Sequence, residues 1–168
     1  YFDGDDWRAQ PSGAAGSLVA VWGSAGNDVW AIGKEGAVLH WDGKSFTSSA
    51  LPAPYAQAQL NAVHARSRDD VWAVGAEAGK GGVVLHYDGA TWARLPSGQA
   101  YDLWWAHAQA RDRVWISGAG ATILRWDGKT FARQATPGLA ADTVFGIWGA
   151  AEDDVWAVGD GGILRYRP

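Results

Sequence analysis

The hexapeptide Asp70-Val71-Trp72-Ala73-Val74-Gly75 recurs as Asp28-Val29-Trp30-Ala31-Ile32-Gly33 and as Asp154-Val155-Trp156-Ala157-Val158-Gly159. A degenerate copy reads Arg113-Val114-Trp115-Ile116-Ser117-Gly118, and the four Trp are spaced by 42, 43 and 41 residues. A second marker follows each copy except the last: Trp41-Asp42-Gly43, Tyr87-Asp88-Gly89 and Trp126-Asp127-Gly128, with a stray Phe2-Asp3-Gly4 at the start. Self-similarity at a fixed period means that each copy is one supersecondary unit. Such a unit cannot bury its apolar face alone, so neighbouring units must stack.

Within each repeat, four short runs alternate with turn chemistry. In the first they are Leu18 to Ser24, Val29 to Gly33, Ala37 to Trp41 and Ser45 to Ser49. Runs of this length, rich in Val, Ile, Trp and Tyr and bounded by Gly, Asp and Asn, read as strands. The Asp-Gly dipeptide marks a tight hairpin, because Gly takes positive φ freely and Asp tolerates it. No stretch holds a helical period, and at most a turn of helix is expected near Tyr55 to Leu60. Four antiparallel strands per unit of about 40 residues predict an all-β propeller of four four-stranded blades. Residues 1–168 form a single domain on this reading, with repeats at about 11–50, 51–96, 97–136 and 137–168 plus 1–10.

The chain opens with a turn and an outer strand, Asp3 through Trp7 to Gln10, and ends after the third run of its last repeat. The N-terminal strand is therefore expected to close the last blade, which removes an unpaired edge. Two other arrangements fit the same phase: two chains completing each other's blades in an eight-bladed ring, or a portion of a longer array. Tyr1-Phe2 aligns with Arg165-Tyr166, which favours the portion or a frayed start. Without a Met, even at position 1, the chain is expected to be processed or excised.

Alignment on the repeated Trp sorts the remaining residues into columns. Trp22, His64, His107 and Trp148 stand eight residues before it. The residue before the third-run aromatic is always basic: His40, His86, Arg125 and Arg165. An aromatic stands four residues after each turn Asp: Trp7, Phe46, Trp92 and Phe131. Ten of the 12 Trp fall in such columns and are assigned to packing between blades.

Several functional classes are excluded or disfavoured. A net charge of −4 without a basic run gives no nucleic-acid footprint. No apolar run approaches the roughly 20 residues of a membrane helix. The absence of Cys removes disulfides and Cys-based zinc sites. No carboxylate pair or Ser/His/Asp set stands outside the repeat columns, so a non-enzymatic module without cofactor is expected. Asp28, Asp70 and Asp154 invite a calcium reading, but one acid per turn does not converge on an ion, and turn bonding to the backbone is expected instead. His64 and His107 are two potential zinc ligands, short of a site, and are assigned to packing.

The motif Val-Trp-Ala-Val-Gly, then Gly, an apolar strand, a basic residue, an aromatic, Asp-Gly and a later aromatic resembles the tectonin-type repeats of sugar-binding propellers such as the tachylectins. The resemblance covers essentially the whole chain in four copies. It implies a lectin-like, carbohydrate-binding module, extracellular or at the cell surface. The alternative is a protein-interaction or assembly module, so the expected partner is a glycan or a protein surface, with no nucleic acid and no membrane insertion. A homodimer completing a larger ring belongs to the same set of expectations.

The residues that break their columns are the candidate ligand site. Trp105 stands where other repeats have Ala20, Ala62 and Gly146, and Trp104 where they have Val19, Asn61 and Phe145. Tyr101 and Asp102 lie just before this pair. An insertion, Ala76 to Gly81, in the preceding repeat is expected to open on the same face as a loop. An indole offers a flat apolar surface with one donor, suited to a sugar ring or a partner's side chain. The competing reading is that Trp105 fills space left by small residues in the facing blade.

Overall fold

A computed structural model of the chain describes residues 1–14 and 16–167. Fifteen strands form four antiparallel sheets, one per repeat. The first blade holds β1 (Leu18–Ala25), β2 (Asp28–Gly33), β3 (Val38–Trp41) and β4 (Phe46–Ser48). The second holds β5 (Gln59–Ser67), β6 (Asp70–Glu77), β7 (Gly81–Tyr87) and β8 (Trp92–Arg94). In the third are β9 (Leu103–Ala110), β10 (Arg113–Gly118), β11 (Thr122–Trp126) and β12 (Phe131–Arg133), and in the fourth β13 (Val144–Ala151), β14 (Asp154–Gly159) and β15 (Gly162–Tyr166). Among the described residues one 3₁₀ turn, Ala53–Tyr55, reaches the first residue of the stretch read as a turn of helix, whose end is drawn into β5.

Blades stack because alternate residues of each strand face opposite neighbours. Trp30, Ile32 and Val38 of the first blade pack on Val63, Leu85 and Trp92 of the second. Trp72 and Val74 pack on Ala106, Val114 and Leu124 of the third, and Trp115 and Ile123 on Ile147 and Val155 of the fourth. The repeated Trp is thus a wedge between blades, and burial of such apolar surface drives the stacking.

The hairpin acids behave as the turn chemistry requires. Asp42 Oδ1 accepts the amides of Lys44 and Ser45 at 2.8 and 2.9 Å, and Asp88 and Asp127 repeat the geometry. Donation from the amide three residues on holds each of these carboxyls below its ordinary pKa. The acids that open the second strand do otherwise, which corrects the turn-bonding expectation. Asp28 meets His40 at 2.7 Å, Asp70 meets His86 at 2.9 Å and Asp154 meets Arg165 at 2.7 Å. The acidic column and the basic column are therefore partners across the second and third strands. The third blade, with Arg113 in the acid position, turns Arg113 to Glu152 of the fourth blade at 2.7 Å. Burial opposes ionisation of Asp70, yet bonds from His86, Arg66 and Trp72 outweigh it and hold the carboxyl near a pKa of about 2.

The insertion in the second repeat is not an open loop. It continues the hairpin, with Ala76 paired to Gly82 and Glu77 to Gly81, so that only residues 78–80 turn. The fourth sheet contains three strands. The N-terminal strand does not pair with β15 as expected, because residues 1–8 fold on themselves. Phe2 bridges Trp7, and the backbones of Tyr1 and Arg8 exchange two bonds.

Candidate functional site

Each inner strand carries a bulge near its start. In β5 the register shifts between Leu60 and Ala62, leaving Asn61 as the extra residue, and Val19, Trp104 and Phe145 hold the same place in the other blades. A bulge re-aims the side chain it frees. The column was visible in the sequence, but nothing in a residue pattern marked it as a bulge.

Trp104 and Trp105 consequently point to different surfaces. Trp104 lines a hollow of about 650 Å³ with Gln59, Asn61, Glu77, Lys80 and Asp102. The extended hairpin and the bulged indole do share one side, as the sequence suggested. Asn61 Nδ2 donates to the Leu103 carbonyl at 2.9 Å, and Trp104 meets Phe145 edge-on at 6.1 Å. Glu77 pairs with Lys80 through one carboxylate oxygen, while the other is buried without a partner among the described residues. Tyr101 lies outside this hollow and stands over Gly120, where a Cβ would meet its ring at 2.7 Å.

Trp105 instead joins a concave row of rings. Trp22, His64, His107 and Trp148 follow one another across the four inner strands, with centroid separations of 4.3, 5.1 and 6.4 Å. With Trp105 and Trp156 they line a cavity of about 230 Å³. The sequence aligned these four residues in a column, but it assigned them to packing. Trp148 is 57 % exposed, Trp105 42 % and Trp22 39 %, so the row is accessible at its two ends and at Trp105, while His64, at 7 %, is buried as a packing residue.

Three ring nitrogens of the row bond the protein's own backbone. Trp22 Nε1 donates to the Ala65 carbonyl at 3.0 Å, and His107 Nε2 donates to that of Gly149 at 3.1 Å. His64 Nδ1 accepts the Ala108 amide at 3.3 Å. Burial pushes His64 down to about 4, helped by its neighbour His107, and burial lowers His107 as well. Both rings are neutral at pH 7. Among the described residues no group of three or more His, Asp and Glu converges as a metal site would.

A lowered histidine pKa has a definite sign in stability. The unfolded chain takes up a proton at His64 below pH 6.5 and the folded chain does so only near 4, so stability is present above 6.5 and is lost as the pH falls towards 4. Between pH 7.5 and 5, above the carboxylate range, the expected loss is about 2 kcal/mol. Urea unfolding at the two pH values measures it. His64→Phe is expected to remove most of the difference, and an unchanged difference in that variant would place the titration elsewhere.

No protein-family model and no curated protein sequence matches the chain, so the tectonin-type resemblance rests on its motif residues alone. Solved structures do match. "YCF48 from Cyanidioschyzon merolae" overlays with a TM-score of 0.70 at 19 % identity, covering 92 % of this chain and 52 % of that one. "YCF48 bound to D1 peptide" gives a TM-score of 0.73 at 16 % identity, covering 99 % and 55 %. The WD40 β-propeller domain of Doa1 gives 0.51 at 13 % identity, covering 93 % and 67 %. This chain spans about half the length of the YCF48 chains it overlays, and its fold is that of a β-propeller.

Proposed function

We propose that the chain is a protein-binding propeller module whose concave ring row seats an apolar or aromatic side chain of a partner. One observation carries this reading: the row offers exposed ring faces at Trp22, Trp105 and Trp148, while Trp22 Nε1, His64 Nδ1 and His107 Nε2 are tied to the protein's own backbone. A sugar needs donors and acceptors aimed at its hydroxyls, whereas an apolar side chain needs contact area alone. A YCF48 structure bound to a peptide supports the same class of ligand for an overlaid fold. The expected role is recognition, with no reaction assigned to these residues.

The test is selection of peptides from a displayed random library, followed by measured affinity. Selected sequences should share an aromatic or large aliphatic residue. Trp105→Ala should weaken them at least tenfold while changing stability by less than about 1 kcal/mol, as expected of a half-exposed side chain. Peptides bound equally by Trp105→Ala would remove the row from the interface.

A second reading attaches to the other surface. Trp104 beside Asn61, Glu77 and Asp102 combines an indole face with amide and carboxylate groups. This is the chemistry of a sugar subsite, and it is where the carbohydrate-binding reading, with its extracellular or cell-surface setting, would apply. Glycan-array binding lost in Trp104→Ala but kept in Trp105→Ala would assign it.

A further inference from the structure

Two departures from the repeat meet at the seam between the second and third blades. One is the extended hairpin, which lengthens β6 and β7 and brings Glu77 and Lys80 to the seam. The other lies at the start of β9. The carbonyls of Ser17, Gln59, Asp102 and Thr143 cross the glycine that ends the Trp motif in each blade, so these four residues share one position, and Asp102 is the acid among them. Two residues on, Trp104 is the indole in a position held elsewhere by Val19, Asn61 and Phe145. Stacking does not require these residues, since the other three blades stack without them. The seam is internal to the arc, with β5 packed on β1 and β9 on β13 to either side.

The hollow of about 650 Å³ at this seam offers mainly acceptors. Asn61 gives its amide nitrogen to the Leu103 carbonyl at 2.9 Å and Gln59 gives its own to that of Gln57 at 3.2 Å, which leaves the oxygen of each side chain to accept. Asp102 is held through its backbone, whose carbonyl takes the Ala119 amide at 2.9 Å, while the residue itself is exposed. Glu77 keeps one oxygen without a partner among the described residues. Lys80 is the one cation in the lining, against the carboxylates of Glu77 and Asp102, so one negative charge is left over.

That balance selects a ligand. A sugar hydroxyl both gives and takes hydrogen bonds, and its accepting side would find few donors in this hollow. A guanidinium has five donors and no acceptor, carries the missing positive charge and lies flat on an indole face. Trp104 is 37 % exposed, enough to present that face. The ammonium of Lys80 already sits on Glu77, which shows that the carboxylate takes a cation from this side. The Lys80 side chain is 61 % exposed, and a pair so open to water contributes little and exchanges readily. The Asn61 bond to Leu103 ties β5 to β9 across the hollow, so the blades need not move to admit a side chain.

We propose that this hollow binds an arginine side chain of a protein partner, with the guanidinium stacked on Trp104, hydrogen-bonded to Glu77 and Asp102, and displacing Lys80. The site rests on the reading of the chain as a protein-binding module but not on the ring row, which lies on another surface. An arginine here and an apolar side chain there are two separate contacts.

The test is an NMR titration of the isotope-labelled chain with two capped tripeptides, acetyl-Gly-Arg-Gly-amide and its citrulline counterpart, which has nearly the same shape and no charge. The Trp104 indole N–H, assigned by its loss in Trp104→Phe, is the reporter. The arginine peptide should shift it saturably with millimolar affinity, and the citrulline peptide should not. Added salt should weaken the binding, because the attraction is between charges near the surface. Asp102→Asn should weaken the arginine peptide about threefold, and Lys80→Ala should strengthen it about threefold by removing the competing cation, each the effect of one exposed ion pair. Both side chains are exposed, so neither substitution disturbs the fold. A purely structural role of Asp102 and Lys80 would move neither affinity. No saturable shift at Trp104, an equal shift from the citrulline peptide, or unchanged affinity in both variants would overturn the proposal. A shift caused by neutral oligosaccharides and not by the arginine peptide would give the hollow to a sugar instead. Trp105→Ala should leave the arginine peptide's affinity unchanged, so failure of this site and failure of the ring row are told apart.

Discussion

Replacing Trp72 with alanine is expected to lower stability by about 3–5 kcal/mol, the cost of a buried aromatic truncated in a core that cannot collapse around the gap. Trp72 is 1 % exposed and touches two blades. It meets Trp126 and Phe131 of the third blade at 5.9 and 6.4 Å, and stacks on His86 of its own at 4.5 Å. Its indole N–H also donates to Asp70 Oδ1 at 2.9 Å, so the substitution takes one bond from a buried carboxylate. Native domains have about 5–15 kcal/mol in hand, and a loss of this size is a large share of it. Stacked repeats couple only to their neighbours, so the unfolding transition should also broaden as the second and third blades separate. Urea unfolding followed by Trp fluorescence and by circular dichroism reads both effects. A shift no larger than that of the half-exposed Trp105→Ala would show that the wedge between blades contributes little.

The motif made the blade legible because the same residue must do the same work four times. A Trp recurring with its apolar neighbours at one spacing shows a packing column, and the turn Asp shows where each hairpin closes. Pairing between columns was legible in principle and was missed. The one repeat that replaces Asp with Arg113 also has a cation, Arg125, in the basic column, and a salt-bridge partner had to come from Glu152 in another blade. The turn reading of those acids stopped at local chemistry. The insertion was read as a loop for a similar reason, since Gly79 and Gly81 look like turn residues while strand pairing across Ala76 and Gly82 is not local.

The candidate site was half legible. Departure from a column picked out Trp104 and Trp105, but adjacent residues at a bulge do not obey simple alternation, and their separation onto two surfaces follows from backbone geometry. The ring row was hidden by its regularity. Trp22, His64, His107 and Trp148 look like packing because they recur, and His64 does pack, buried between its neighbours, yet Trp22 and Trp148 at the ends of the row leave ring faces open.

Gly75→Ala is expected to cost about 3 kcal/mol or more, although it adds a single methyl group to a strand interior. The reason is space rather than torsion, because Gly75 is not among the residues with positive φ. The bulge at Asn61 brings the start of β5 across Gly75, and a Cβ there would overlap the Gln59 carbonyl oxygen and approach the Leu60 Cα at 2.8 Å. Gly33, Gly118 and Gly159 stand under the carbonyls of Ser17, Asp102 and Thr143 in the same way. In those three blades that carbonyl accepts the amide just after the glycine, at 2.9, 2.9 and 3.1 Å. The backbone at this crossing cannot swing aside cheaply. Leu60 is fully buried in the core between the first two blades, so moving it strains packing as well as the ladder. Gly79, in the turn of the same blade, is the opposite case: φ is +73° and no atom lies within 4 Å of the added Cβ. Gly79→Ala should therefore cost only about 1 kcal/mol of left-handed strain. Urea unfolding of the two variants separates the effects, and a Gly75→Ala cost no greater than that of Gly79→Ala would mean that the crossing at the bulge yields. A large difference would explain in physical terms why the Trp motif ends in Gly in all four repeats, including the one that has lost its Asp.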